Sequence, residues 1–243
     1  MPSFENKKVL ITGSTRGLGF ALAKHCLAQK ASVVIHGSSS KSVENALAKL
    51  NHENASGVVA DLRKMQNIET LFKEFAHEQK PLDLFINNAG CTLTGFFLQQ
   101  ETSDLVDLLH LNTRAPLLCA KHALTLMAKN KTGTIINISS NAAAEPMPLL
   151  AAYSASKAAL SAFSKAFRAE CAEEDVRLFW LEPGAIETDI TSSYTKEFKE
   201  RYDGNITRLN PDDVAEHIIH LYRSDKLNHQ HAVFEHFSAT HKS

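Results

Sequence analysis

Short apolar runs recur along the chain, each followed by a longer stretch of mixed, helix-forming composition. Strand-length apolar runs bounded by small or turn-forming residues predict strands, and the stretches between them predict helices. Residues 7–12 (KKVLIT), 32–36 (SVVIH), 57–60, 82–86 (LDLFI), 134–138 (TIINI) and 176–181 (VRLFWL) are the predicted strands, and residues 232–237 (AVFEHF) could supply a last one. The intervening helices are predicted over 20–29, 41–50, after Leu62 to about 79, and from about 151 to about 174. Residues 101–129 form a long, mainly helical stretch containing Pro116, and another helix starts at Asn210-Pro211, with Asp212 and Asp213 at the positive end of its dipole. Residues 191–209 are polar and charged with a few aromatics, suited to a lid. This alternation predicts a doubly wound α/β fold with a mostly parallel sheet of about seven strands and helices on both faces.

Composition narrows the class. The 243 residues, 44% of them hydrophobic, suit one α/β domain over 1–243, with no linker or repeat to divide it. Lys plus Arg (26) nearly cancel Asp plus Glu (27), which excludes the electrostatic footprint of a nucleic-acid or anionic-membrane binder. The apolar runs fall far short of a membrane span, and residues 1–8 have neither an apolar core nor a cleavage signal. Cys26, Cys91, Cys119 and Cys171 lack disulfide or metal spacing, so a cytoplasmic protein with reduced thiols is expected. His229, His231, His236 and His241 fit no metal geometry, and surface histidines are expected there.

The candidate chemistry sits at the carboxyl ends of the predicted strands. The first strand runs into Gly13-Ser14-Thr15-Arg16-Gly17-Leu18-Gly19 and then a helix, the context in which a glycine turn cradles a dinucleotide pyrophosphate. A carboxylate at the end of the second strand would hold ribose hydroxyls, but Gly37, Ser38, Ser39, Ser40 and Lys41 follow it instead. Hydroxyls with Arg16 and Lys41 nearby would accept a 2′-phosphate, and the same serine loop can cap the next helix. Asp61, beside Leu62, could contact an adenine amine or cap the following helix. The fourth strand closes on Asn87-Asn88-Ala89-Gly90, a small-residue turn where such sheets bind ligands. Pro116 denies the Asn112 carbonyl its helical partner, leaving either a simple bend or an acceptor that holds a water. Tyr153 and Lys157 stand four residues apart on one helical face, thirteen residues beyond Ser140. A unit positive charge about 5 Å away at an effective dielectric of 20 favours phenolate by roughly 3 kcal/mol, about two pKa units. That brings a tyrosine toward general acid–base work, although such a pair taken alone also suits a surface lysine beside a half-buried tyrosine.

Together these residues resemble the short-chain dehydrogenase/reductases from about residue 5 to about 225, and in particular the 3-oxoacyl-(acyl-carrier-protein) reductase-like members. The matching elements are Thr12-Gly13-x-x-x-Gly17-x-Gly19, Asp61-Leu62, Asn87-Asn88-Ala89-Gly90, Asn112, Ser140, Tyr153-x-x-x-Lys157 and Pro183-Gly184-x-Ile186-x-Thr188. The resemblance implies a Rossmann fold and an NADP(H)-preferring oxidoreductase that reduces a ketone, aldehyde or acyl thioester. By that likeness Tyr153 exchanges the substrate proton, Ser140 polarises the carbonyl, Lys157 binds the nicotinamide ribose and lowers the Tyr153 pKa, and Asn112 holds a relay water. Gly13, Ser14, Arg16, Gly17, Leu18 and Gly19 would surround the phosphates, with Ser38, Asp61, Leu62, Asn88, Ala89 and Gly90 along the rest of the cofactor. Pro183, Gly184, Ile186 and Thr188 would line its nicotinamide end. Leu93, Thr94, Met147, Leu149, Leu150, Tyr194 and Phe198 would make a largely apolar substrate pocket. The likeness also implies a homodimer or homotetramer through the helices that carry Asn112 and Tyr153. The tail, residues 226–243, departs from the family in having no glycine after Gly204. A non-catalytic dinucleotide-binding or redox-sensing protein is the competing class on the same fold.

Overall fold

A computed structural model describes residues 3–77, 81–188, 193–202, 204, 206–224 and 234–235. Strands β1 (Lys8–Ile11), β2 (Ser32–Gly37), β3 (Ala55–Val59), β4 (Leu84–Asn87), β5 (Thr134–Ile138), β6 (Arg177–Leu181) and β7 (Phe234–Glu235) form one sheet in the order β3-β2-β1-β4-β5-β6-β7. Every neighbouring pair is parallel, from Val9 opposite Val33 to Leu181 opposite Glu235. The helices are α1 (Gly17–Ala28), α2 (Ser40–Leu50), α3 (Met65–His77), α4 (Thr102–Leu109), α5 (Ala115–Ala128), α6 (Ala151–Glu173), α7 (Lys196–Tyr202) and α8 (Pro211–Arg223).

Period-two alternation in apolar strands supplies both layers of the core. Val9, Ile11, Val33, Ile35, Leu84, Ile86, Ile136, Ile138, Phe179 and Leu181 face α1 and α8. Leu10, Val34, Phe85, Ile135 and Leu178 face the opposite way, onto apolar residues of α3, α5 and α6. The chain leaves β1 toward β2 and β3, then returns to β4 on the other side of β1. That reversal opens a crevice at the carboxyl ends of β1 and β4, where doubly wound sheets bind ligands.

The predicted elements are present with shifted ends. β3 starts at Ala55, because pairing with Val33 extends it past the weak apolar signal. The long helix predicted over 101–129 is interrupted rather than merely bent. Residues His110–Arg114 form a π turn in which the Ala115 N–H reaches back to the His110 carbonyl, five residues away. Pro116 then stands in the first turn of α5, where its missing N–H costs little. Asn210 caps α8 by accepting the Asp212 N–H (2.8 Å). Of the expected last strand only Phe234–Glu235 falls within the described residues; the four histidines from 229 to 241 lie outside them. No helix among the described residues is long and apolar enough to cross a membrane.

A buried polar chain ties the centre of the sheet to the helices that carry the candidate site. Asn87 Nδ2 donates to the Pro116 carbonyl (2.8 Å) and to Asn137 Oδ1 (3.1 Å). Asn137 Nδ2 in turn donates to Ser164 Oγ (2.8 Å), whose hydroxyl bonds the Leu160 carbonyl (2.8 Å). Asn137 and Ser164 are wholly buried, so an interrupted chain leaves donors and acceptors with no water to turn to. Replacing Asn137 with valine should destabilise the protein by about 2–4 kcal/mol. Urea unfolding monitored at Trp180 measures this, and an unchanged midpoint would contradict the structural role given to the chain.

Candidate active site

The crevice is closed at its base by Thr12, the residue after β1. Its hydroxyl accepts the N–H groups of Asn88 (2.9 Å) and Ala89 (3.0 Å). Asn88 Nδ2 returns bonds to the carbonyls of Thr12 (2.9 Å) and Gly13 (3.1 Å). The two turns therefore touch. Gly13 has φ +64°, and a Cβ there would lie 2.9 Å from Ala89 Cα; one on Gly19 would lie 2.4 Å from the Gly13 carbonyl oxygen. Only glycine permits both approaches.

Two residues expected to face the cofactor phosphates turn inward instead. The Gly13 N–H donates to His36 Nδ1 (3.0 Å), and Ser14 is wholly buried with its hydroxyl bonded to the Ile11 carbonyl (2.7 Å). The open donors belong to the first turn of α1, at Gly17, Leu18 and Gly19, where no side chain caps the helix. Arg16, the residue before that turn, and Ser38, the residue after β2, are both exposed. Ser39 caps α2 by accepting the Ser42 N–H (3.3 Å), so the serine loop does the structural work expected of it.

Asp61 is held in an ion pair that its sequence context does not announce. Its carboxylate accepts Arg63 Nε (3.0 Å), Arg63 Nη2 (3.1 Å) and the Arg63 N–H (3.1 Å), and these contacts pull its pKa down. The same guanidinium reaches Asp107 on α4 (2.5 Å), and Arg114 donates to the Arg63 carbonyl. Leu62 beside it is buried.

The candidate catalytic residues converge from three elements. Lys157 Nζ donates to the Ile138 carbonyl at the end of β5 (3.0 Å), while Ser139 Oγ donates to the Lys157 carbonyl (3.0 Å). Ser140 accepts the Ala142 N–H (3.2 Å), and its hydroxyl faces the Tyr153 phenol closely enough to pull the phenol's pKa down. Asn112, in the π turn, grips the residue after Gly90: its Oδ1 accepts the Cys91 N–H (2.9 Å) and its Nδ2 donates to the Cys91 carbonyl (2.8 Å). Asn112 Nδ2 also reaches Ser156 Oγ (3.1 Å), which bonds the Tyr153 carbonyl (2.7 Å). A Cβ on Gly90 would stand 3.1 Å from Asn112 Oδ1 and 3.5 Å from Lys157 Nζ, so Gly90, Asn112 and Lys157 share one corner.

The electrostatics of the pair reverse the sequence expectation. Burial pushes the Tyr153 phenol up to about 12, with the Ser140 hydrogen bond pulling the other way and Tyr194 and Cys91 adding to the rise. Burial likewise pushes Lys157 down to about 8. The ammonium points at a backbone carbonyl, and desolvation is the leading cause of both shifts. Cys91 is a half-buried thiol whose pKa burial raises against the pull of Lys157 and Arg63.

The remaining walls come from loops. Asn141 N–H donates to the Pro183 carbonyl (2.9 Å). A parallel bridge pairs Ile186 with Leu209, and Leu209 donates to the Ala185 carbonyl (2.8 Å), anchoring the half-exposed Gly184 and Ile186. Thr188 reaches the glycine turn, its Cγ2 lying 3.0 Å from where a Gly17 Cβ would stand. Leu149, Leu150 and Phe198 are buried together, with Met147, Tyr153 and Tyr194 packed on them. Thr94 accepts the Thr195 N–H (2.8 Å), tying the loop after β4, with its half-buried Leu93, to the residue before α7 in the expected lid. Residues 189–192, 203 and 205 of that region lie outside the described part. Sequence reasoning passes over His36, Arg63, Cys91 and Ser156; a histidine inside an apolar strand is the clearest signal it leaves unused.

A parallel sheet with a glycine turn at its switch point and a Ser-Tyr-Lys cluster beside it defines a class, and the short chain dehydrogenase profile matches residues 7–199. The chain belongs to that family. It is 32% identical over 223 residues to the 3-oxoacyl-[acyl-carrier-protein] reductase FabG of Aquifex aeolicus, covering 89% of this chain and 90% of that protein. It is also 32% identical over 206 residues to the mitochondrial dehydrogenase/reductase SDR family member 2 of Homo sapiens, covering 81% and 73%. The 3-ketoacyl-(acyl-carrier-protein) reductase of Brucella melitensis, solved with NADH, superposes with a TM-score of 0.83 at 26% identity, covering 96% of this chain and 97% of that one.

Burial of Lys157 has a consequence for stability. Its folded pKa of about 8 lies below the ordinary 10.5, so its charge disfavours the folded state at neutral pH. Wild-type stability should therefore rise with pH between about 8 and 10.5, where only the unfolded chain still holds the proton. Lys157→Met removes that charge and loses one hydrogen bond to Ile138, for an expected gain of about 2 kcal/mol at pH 7. The variant should bind a nicotinamide dinucleotide more weakly than wild type. Calorimetric melting and fluorescence titration measure the two, and a lower melting temperature would contradict this assignment.

Proposed function

We propose that the protein reduces a ketone, aldehyde or 3-oxoacyl thioester with NADPH, Tyr153 acting as the general acid. The single observation that carries this reading is the convergence of Ser140, Tyr153, Lys157 and Asn112 beside Gly90, at the switch point of the sheet. The crevice also suits the cofactor: Gly13 and Gly19 let the glycine turn pack closely on itself and on the turn after β4, and no side chain caps the α1 terminus.

Gly17, Leu18 and Gly19 would hold the pyrophosphate, Asp61 and Leu62 the adenine edge, and Asn88, Ala89 and Gly90 the floor of the groove. Lys157 and Tyr153 would hold the nicotinamide ribose, and Pro183, Gly184, Ile186 and Thr188 the nicotinamide end. When bound, the dinucleotide supplies the hydride. Tyr153 is protonated throughout neutral pH and delivers its phenolic proton to the substrate oxygen, while Ser140 donates a hydrogen bond to the same oxygen. Lys157 contributes positive charge at the corner it shares with Gly90. Asn112 keeps that corner in place by fixing Cys91 on both its N–H and its carbonyl. The buried cluster of Leu149, Leu150 and Phe198 supports an apolar substrate.

Arg16 and Ser38, with no acid at the end of β2, support a 2′-phosphate. One charge-assisted contact there is worth roughly 1.5–3 kcal/mol, so NADPH should be favoured over NADH by about ten- to a hundredfold in kcat/KM. Cofactor oxidation against a panel of ketones and 3-oxoacyl thioesters tests both parts, repeated with Arg16→Ala, which should erase most of the preference. Equal values for the two cofactors in the wild type would reject the NADPH assignment. Tight dinucleotide binding with no turnover on any carbonyl would favour a non-catalytic sensor instead.

A further inference from the structure

His36 is the penultimate residue of β2 and the one ionisable side chain of that strand. It is 3% exposed, and both ring nitrogens are engaged. Nδ1 faces the Gly13 N–H at 3.0 Å, and Nε2 faces the Ala60 carbonyl at 2.9 Å. An N–H can only donate and a carbonyl can only accept, so the partners fix the tautomer: Nδ1 is bare and Nε2 carries the proton. The backbone of the same residue makes two more bonds. Its N–H donates to Ser14 Oγ (2.9 Å) and its carbonyl accepts the Ser14 N–H (2.9 Å).

We propose that His36 is a positioning residue for the dinucleotide, its neutral ring fixing the distance between the glycine turn after β1 and the Ala60–Leu62 edge after β3. This rests on the cofactor reading above, in which the first turn of α1 meets the pyrophosphate and Asp61 and Leu62 meet the adenine. The ring is a rigid strut between the two ends of that groove. At one end it aims Gly13, which touches Ala89; at the other it holds the carbonyl just before Asp61. Burial keeps the ring uncharged, at a pKa of about 4, with the Ala60 contact pulling weakly the other way. The charged residues of the adjoining segments, Arg16 before α1, Lys41 in the first turn of α2 and Asp61 after β3, are exposed or half-exposed. A protonated ring would set N–H against N–H at Gly13.

Two substitutions separate the ends of the strut. In His36→Asn, Oδ1 stands where Nδ1 was and keeps the Gly13 contact while releasing Ala60. In His36→Gln, Nε2 stands near the original Nε2 and keeps Ala60 while releasing Gly13. His36→Leu releases both. Fluorescence titration should show NADPH dissociation constants about tenfold higher for leucine and intermediate for the other two, consistent with buried polar groups losing their partners. At saturating cofactor, kcat and the substrate KM should stay within about twofold of wild type. Binding of adenosine, which carries the adenine end without a phosphate, should weaken in the asparagine variant and hold in the glutamine variant. A leucine variant that binds NADPH as tightly as wild type would overturn the proposal. So would equal adenosine affinities for the asparagine and glutamine variants.

Nitrogen-15 NMR of wild-type histidine rings keeps the proposal testable should the variants fail to fold. The His36 ring should show the Nε2–H tautomer and no titration between about pH 5.5 and 8, unlike an ordinary imidazole. A ring that titrates in that interval, or carries its proton on Nδ1, refutes the strut. If the wild type binds no nicotinamide dinucleotide, the cofactor reading fails on its own, and the NMR result still decides the ring's bridging geometry.

Discussion

The Thr12 hydroxyl is the contact on which the site depends. It is wholly buried at the end of β1 and accepts two consecutive N–H groups from the turn after β4, at Asn88 and Ala89. These are the strands between which the chain reverses direction across the sheet, so the contact sets the width of the crevice there. Asn88 answers it with bonds to the carbonyls of Thr12 and Gly13, and Gly13 packs on Ala89 with no room for a side chain. The glycine turn, the small-residue turn and the corner holding Asn112 and Lys157 all take their spacing from this clasp.

Burial then sets the charge state of the reacting groups. Lys157 is buried and Tyr153 half-buried, and loss of hydration moves each toward its neutral form: the phenol keeps its proton more tightly and the ammonium holds its own less tightly. For carbonyl reduction this is a workable starting point, since the acid must be protonated before it can give a proton away. The arrangement costs stability, because one backbone carbonyl in a dry corner is a poor substitute for the hydration that the lysine loses. Such a cost is common where a site is arranged for chemistry rather than for folding.

Much of the architecture is readable from the sequence because it rests on local patterns. Strands β1, β2, β5 and β6 announce themselves as apolar runs, and the Tyr153-x-x-x-Lys157 spacing by itself places both side chains on one helical face. The π turn at His110–Arg114 is not readable in this way, since a proline signals an interruption without saying whether the ladder bends or slips by one residue. Likewise, the inward turn of Ser14 and the capture of the Gly13 N–H depend on His36, twenty-three positions away from Gly13. Arg63 lies beside Asp61 in sequence, yet its second partner, Asp107, comes from a distant helix. The pKa of Tyr153 escapes sequence reasoning for a similar reason: a neighbouring charge can be inferred from spacing, but the desolvation that leads the shift cannot.

Tyr153→Phe tests the central claim most directly, because it removes the acid and leaves the ring, the packing and the cofactor groove in place. With NADPH and an accepted carbonyl substrate, kcat should fall by at least about a hundredfold, while the NADPH dissociation constant stays within a few-fold of wild type. Turnover at the wild-type rate in this variant would contradict the assignment of Tyr153 as the proton donor.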